Sequence, residues 1–443
     1  MLELSFLARV RRAFRGGALR DGAVVFSSMM LVNALGYATH FILSRRLGVL
    51  EYGGFVSLLS AVAILSVPAA IATMIVVKMV AEFHALDERA KIRVLSLRVL
   101  TGCSVLMAAA IAAGALFRAE VSGYLHLSWS SEAIAAAVAL GFGFVLPVIR
   151  GVLQGVQDFT AYAVSIFAEA AGKIALSVGL VYAGYGVVGA FAGYAAASLL
   201  SFGYTLWAVR KHWLNVPTRL AIDRRRLLIT MGGATAAIAA MTLMGFVDLV
   251  MVKHFFSARD AGLYGAAAFC GKILLLVVGF VPAMMLPKAA RSAAGGGNGN
   301  AVLAQGIGIT AAFATVMLGV FFLFPNTVVR VTYGADYALA AQYIFRYGVA
   351  MSLLGMSNVL VNYAVGMHRF AVVWPLAAIA IAEPVAITFF HTTLNSVINV
   401  LLATNLAATV LCLIFEKWSA GSAAVRRRGV RVPSGNQGIG IAS

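Results

Sequence analysis

Apolar runs long enough to cross a bilayer alternate with short polar breaks along almost the whole chain. They fall near residues 23–43, 53–77, 95–117, 132–150, 160–182 and 186–209, and again near 227–252, 262–286, 301–324, 340–364, 371–391 and 395–415. About 20 helical residues rising 1.5 Å each cover the roughly 30 Å of a hydrocarbon core. The pattern therefore predicts an all-α, polytopic membrane protein with about twelve transmembrane helices. The narrowest break is His391-Thr392-Thr393-Leu394-Asn395, between the last two runs.

The second six runs echo the first six. Asn33–Phe55 aligns without a gap to Thr242–Tyr264 at an offset of 209 residues, with Leu35-Gly36-Tyr37 over Met244-Gly245-Phe246 and Glu51-x-Gly53-x-Phe55 over Asp260-x-Gly262-x-Tyr264. Gly155-x-x-x-Phe159 returns as Gly366-x-x-x-Phe370, and Phe167-Ala168-Glu169 as Ile381-Ala382-Glu383. An even number of spans per copy makes both copies enter the membrane from the same side. The expected arrangement is two six-helix bundles related as parallel repeats around a central cavity, a plan found in transporters. The expected divisions are a basic leader (1–22), bundles at 23–209 and 227–416 joined by a cytoplasmic loop (210–226), and a basic, flexible cytoplasmic tail (417–443).

Composition agrees with that class: 62% hydrophobic and 11% charged residues, with a mean hydropathy of +0.93. The net charge of +18 points first to nucleic acid, but the placement of the charges opposes it. Of the 34 Lys and Arg residues, 25 fall on the side of the N-terminus and 7 on the other, with Lys173 and Lys272 inside spans. The positive-inside rule then puts both termini in the cytoplasm of a cell bounded by an inner membrane. The first apolar run follows Arg9, Arg11, Arg12, Arg15 and Arg20 and is about 20 residues long, so a retained span is expected rather than a cleaved signal. The leader segment LSFLARVRRAF reads as a short basic helix on the membrane surface. No partner role for nucleic acid and no resident cofactor or metal is expected. Cys103, Cys270 and Cys412 lie inside apolar runs as small core residues.

The loop motifs give the chain a family likeness. Arg46-Leu47-Gly48-x-x-Glu51-Tyr52-Gly53-x-Phe55, Leu153-Gln154-Gly155-x-x-x-Phe159 and Asp260-x-Gly262-x-Tyr264-x-Ala266-Ala267 occur in order within the twelve-span frame. From about Gly22 to Glu416 the chain resembles bacterial polysaccharide transporters of the multidrug/oligosaccharidyl-lipid/polysaccharide exporter superfamily, the group that includes O-antigen-type flippases. That resemblance implies a V-shaped cavity between bundles and export of a polyprenyl-diphosphate-linked oligosaccharide. Its partners would be the lipid-linked substrate, membrane lipid and the polysaccharide assembly machinery. A cation-coupled multidrug antiporter of the same superfamily and a membrane glycan polymerase or ligase are the alternatives. No Walker loop, nucleophile elbow or His/Glu metal pattern is present in the sequence, so no catalytic residue is assigned.

Charges at bilayer depth are the chemical candidates, because each is costly unless paired or facing water. Glu169 and Lys173 share a helix face at i,i+4 and are expected to pair. Lys272 has no acidic neighbour at helical spacing. It faces an anionic head group in the cavity, pairs across the bundle, or snorkels. Asp248, aligned with Thr39, meets interfacial water or takes part in ion coupling. Glu383 precedes Pro384, at a kink. With Glu169 these two form the ion-coupling candidates. Lys272, Lys173, Arg45, Arg46, Asn33, His40 and Asn362 are the candidates for substrate contact. Arg45 and Arg46 are equally suited to interfacial anchoring, and Asn33, His40, Asn358 and Asn362 to polar bonding between helices.

Overall fold

The computed structural model describes residues 17–213, 224–291, 299–367 and 369–429. The proposed leader helix, most of the 210–226 loop, the Gly-rich stretch and residues 430–443 of the tail lie outside the described residues. Every regular element among the described residues is helical: α1 (Gly17–Leu65), α2 (Val67–Ala85), α3 (Arg89–Leu116), α4 (Arg118–Tyr124), α5 (Ser130–Gly155), α6 (Phe159–Tyr182) and α7 (Gly186–Arg210). The second set comprises α8 (Arg224–Phe255), α9 (Ala258–Arg291), α10 (Gly299–Leu323), α11 (Pro325–Thr332), α12 (Ala341–Gly366), α13 (Val373–Phe389) and α14 (Leu394–Gly429), with short 3₁₀ turns at Ala335–Ala340 and Phe370–Val372. Eleven helices among the described residues are long and apolar enough to cross a membrane.

Two local features decide how the spans divide. α1 is broken at Gly48, whose φ of 72° and ψ of 174° no helix accommodates, so it holds the first span and the beginning of the second. That backbone suits a residue without a Cβ. Beyond Ser66 the second span continues as α2, which starts with Pro68 in its first turn. Proline has no N–H to give to the preceding turn and clashes with its carbonyl, which makes a break there inexpensive. The second span is therefore longer than hydropathy alone predicts. The last helix also outruns its expected end and carries the tail's Lys417 and Arg426–Arg428 as helix up to Gly429.

Among the eleven candidate spans of the described residues, α5 and α12 have the largest buried share and α3 and α10 the smallest. Exposed Trp129, Trp207, Trp374 and Trp418 stand near the ends of the apolar spans, as aromatic residues do at a bilayer interface. Within the N-terminal set α6 packs on α7 and α3 on α5, and within the C-terminal set α9 packs on α12. Between the sets, α1 lies against both α8 and α9.

Hydrogen bonds between the sets gather at the end of the bundle that carries Gly48 and Ser257. There Arg45 donates to the carbonyl of Val331, Tyr337 to that of Ser44 (2.9 Å) and Ser57 to that of Leu249 (2.7 Å). Tyr52, Tyr333 and Tyr337 pack ring against ring across the same seam, with centroids 5.5–5.9 Å apart.

Candidate functional site

A cavity of about 340 Å³ opens between α1, α5, α6, α7 and α9. α1 contributes Val32, Asn33, Gly36, Tyr37, Thr39 and His40. Its opposite wall is charged, with Arg150 from α5 and Glu169 and Lys173 from α6, while Phe269 of α9 brings in the C-terminal set.

Arg150 is where the structure departs most from the sequence reading, which places it in a loop. It lies inside α5 and is only 8% exposed. Its guanidinium donates from Nε to Ser165 Oγ (2.7 Å), from Nη1 to Glu169 Oε2 (2.5 Å), and from Nη2 to the Ser165 carbonyl and Ser201 Oγ (both 2.8 Å). Ser165 is also bonded to Thr205 at 2.6 Å, which completes a polar patch in an apolar bundle. The planar fork of arginine suits such multiple bonding, and without these partners the buried charge would be prohibitive. A basic residue five positions before the Gly155-x-x-x-Phe159 motif is the available signal, and at the end of an apolar run it reads as topology.

Glu169 and Lys173 form the ion pair that their spacing predicts, with Lys173 Nζ 2.6 Å from Glu169 Oε1. Ser198 adds a bond to the same oxygen (3.0 Å), and the ammonium stands 5.1 Å from the Tyr194 ring centroid. One carboxylate is thus shared by two cations, leaving a formal charge of +1 on this wall. Glu169, an ion-coupling candidate, has both oxygens engaged.

Asn33 and His40 line the same cavity, as substrate contacts should. His40 is 6% exposed, shares a hydrogen bond with Tyr52 (Nδ1 to Oη, 3.1 Å) and stacks on Phe269 with ring centroids 3.9 Å apart. The remaining candidates are elsewhere. Arg46 lies over the Tyr182 ring (4.2 Å), and Arg45 ties α1 to Val331. The Arg45 contact crosses between the two sets, whereas the Arg46 contact stays within the first. Asn362 bonds to Asn358 on its own helix (2.5 Å), so these two satisfy each other one turn apart.

Lys272 does not line the cavity. It is 5% exposed, and its ammonium sits 4.4 Å from the Phe246 ring centroid and 5.3 Å from that of Phe269. It belongs to a second cluster with Asp248 and Glu383, both 0% exposed. Asp248 Oδ2 accepts from Tyr264 (2.9 Å) and Tyr347 (2.8 Å), and Glu383 Oε2 accepts from Thr404 (2.6 Å). The helices that hold them, α8, α9 and α13, are three different spans.

The family is decided at this point. A family model described as "Polysaccharide biosynthesis protein" matches residues 18–291, more than half of the chain. The chain belongs to that family. No curated protein matches it. Among solved structures it is similar to an inward-facing multidrug resistance MATE family transporter of the MOP superfamily, at 15% identity over 92% of this chain and 99% of that one, with a TM-score of 0.69. It is also similar to the eukaryotic MATE transporter AtDTX14 (14% identity, 93% and 99% covered, TM-score 0.64) and to the lipid II flippase MurJ in an inward closed conformation (15% identity, 88% and 87% covered, TM-score 0.62). At these identities the likeness is one of fold. A member of the polysaccharide biosynthesis family thus carries the fold of the multidrug/oligosaccharidyl-lipid/polysaccharide exporters.

Proposed function

We propose that this protein moves a polyprenyl-diphosphate-linked oligosaccharide, a precursor of cell-surface polysaccharide, across the bacterial inner membrane by alternating access. The observation that supports this most is the polar wall of the 340 Å³ cavity, where Arg150 and Lys173 share the single carboxylate of Glu169. A diphosphate entering the cavity meets a net positive wall and offers Lys173 a second anionic partner through charge-assisted hydrogen bonds. Asn33, Tyr37 and Thr39 on the facing helix carry the neutral donors and acceptors that sugar hydroxyls use. Phe269 closes the cavity from the other set, so relative movement of the two sets changes access to it. The same net charge disfavours the alternative, a cationic drug.

In this reading Glu169 holds the cationic wall together, and ion coupling falls to Asp248 and Glu383. Transport of an intact lipid-linked glycan requires no catalytic residue. Assembly enzymes on either side of the membrane are the natural partners.

The test is a complementation assay in cells that need this chain for surface glycan, with protein abundance measured in parallel. Lys173→Glu is expected to abolish export, Lys173→Ala to reduce it at least tenfold, and Lys173→Arg to retain part of it. Wild-type export by Lys173→Glu at normal abundance would overturn the assignment.

A further inference from the structure

Asp248, Lys272 and Glu383 form a group of three ionisable side chains shut away from solvent, and among the described residues each keeps one polar atom without a hydrogen-bond partner: Asp248 Oδ1, Lys272 Nζ and Glu383 Oε1. Orphaned buried polar atoms are rare, because each forfeits its solvation. Here three occur on helices packed together: Tyr347, which donates to Asp248, lies against Gly271 beside Lys272, the Lys272 ammonium stands over Phe246 on the helix of Asp248, and the helix of Glu383 packs on that same helix. We propose that Lys272 is a tethered counter-cation for the two carboxylates, so that the cluster exchanges a proton and does not bind sodium.

Charge counting comes first. Two carboxylates and one ammonium sum to −1, and one added proton makes the cluster neutral. The other groups facing it are the phenols of Tyr264 and Tyr347, the hydroxyl of Thr404 and the imidazole of His40. None of these supplies a permanent charge.

Coordination then separates a proton from a metal. A proton needs one oxygen, and both Asp248 Oδ1 and Glu383 Oε1 offer one. A hard cation needs about six oxygen ligands, and the nearest fixed positive charge here is a competing ammonium. Lys272 is held against the faces of Phe246 and Phe269, positions that favour a cation. Phe269 also lines the cavity and stacks on His40. A change in the charge state of the cluster therefore acts on a ring that the substrate touches. This assignment rests on the ion-coupled transport reading, and it names the coupling ion.

The experiment uses the purified full chain in lipid nanodiscs, with thermal unfolding followed in sodium chloride and in choline chloride across about pH 5 to pH 8. Wild type is expected to unfold at the same temperature in both salts, with a pH dependence that Glu383→Gln and Asp248→Asn flatten. Lys272→Gln removes the built-in cation and adds an oxygen ligand. It is expected to gain a saturable, sodium-specific stabilisation of several degrees, which Lys272→Gln/Glu383→Gln loses. Sodium-specific stabilisation of wild type that disappears in Glu383→Gln would overturn the proposal. So would a pH response untouched by both carboxylate variants, a measurement that does not depend on whether Lys272→Gln folds. Neither readout involves glycan export, so failure of the export assay and failure of this assignment are separately visible.

Discussion

Gly53 and Gly262 meet at the crossing of α1 and α9. A Cβ on Gly53 would lie 2.8 Å from the backbone nitrogen of Gly262, and one on Gly262 would lie 1.8 Å from the carbonyl oxygen of Val49. These two glycines are also mates in the internal alignment at the 209-residue offset. Contact between equivalent positions is what a two-fold axis generates. The pattern of enclosure points the same way: among the eleven candidate spans of the described residues, α5 and α12, which hold the fourth and tenth of the twelve apolar runs, have the largest buried share, and α3 and α10, which hold the third and ninth, the smallest. Both observations support the parallel-repeat reading.

The glycine contact yields the first expectation. Gly262→Ala forces backbone apart at a site where nothing flexible can give, so a loss of about 1–3 kcal/mol or more is expected. Gly53→Ala, with its longer contact, is expected to cost less. Thermal unfolding of both variants in detergent checks the order, and equal stability of Gly262→Ala and wild type would contradict the contact.

The Arg150–Glu169 pair predicts an asymmetry. Arg150→Ala leaves four polar partners without their donor and is expected to destabilise by about 3–5 kcal/mol, as the breaking of a buried pair does. Arg150→Lys restores charge but not the fork, and should recover only part of the loss. Lys173→Ala leaves Glu169 with Arg150 and is expected to fold at nearly normal abundance. Yields of folded protein from parallel preparations measure all three.

Asp158 caps α6, its carboxylate accepting from the Ala161 N–H at 3.0 Å, and lies 3.3 Å from His212 Nε2. Asp158→Ala is expected to cost about 1 kcal/mol, and Asp158→Asn much less, since the amide oxygen still caps. A thermal-melt comparison decides it, and indistinguishable Ala and Asn variants would remove the cap from the account.

Topology is tested most directly by chemical labelling. The basic bias predicts that a cysteine at Arg225 stays protected from an impermeant reagent in intact cells while one at Arg259 reacts. The reverse pattern would invert the membrane orientation and exchange the cytoplasmic and outer faces of the cavity.

What the sequence determined by itself is one-dimensional. Hydropathy located the spans because transfer of a helix into hydrocarbon depends on composition and length, and it placed a break at the polar stretch around Gly48, but the apolar run at 53–77 passes through Pro68 without marking the break before α2. The i,i+4 spacing determined the Glu169–Lys173 pair, since helix geometry leaves the two side chains no other relation. Partners on different helices were decided only by tertiary structure. Nothing local distinguishes Arg150 at the end of an apolar run from a topology-setting loop arginine; only the rotation of α5 turns it toward Ser165, Glu169 and Ser201. Lys272 likewise lacks a local acid, and the packing of α8, α9 and α13 brings Asp248 and Glu383 within reach. Helix rotation and tilt are set by the whole surface of contact between spans, and a linear pattern of apolar residues does not contain them.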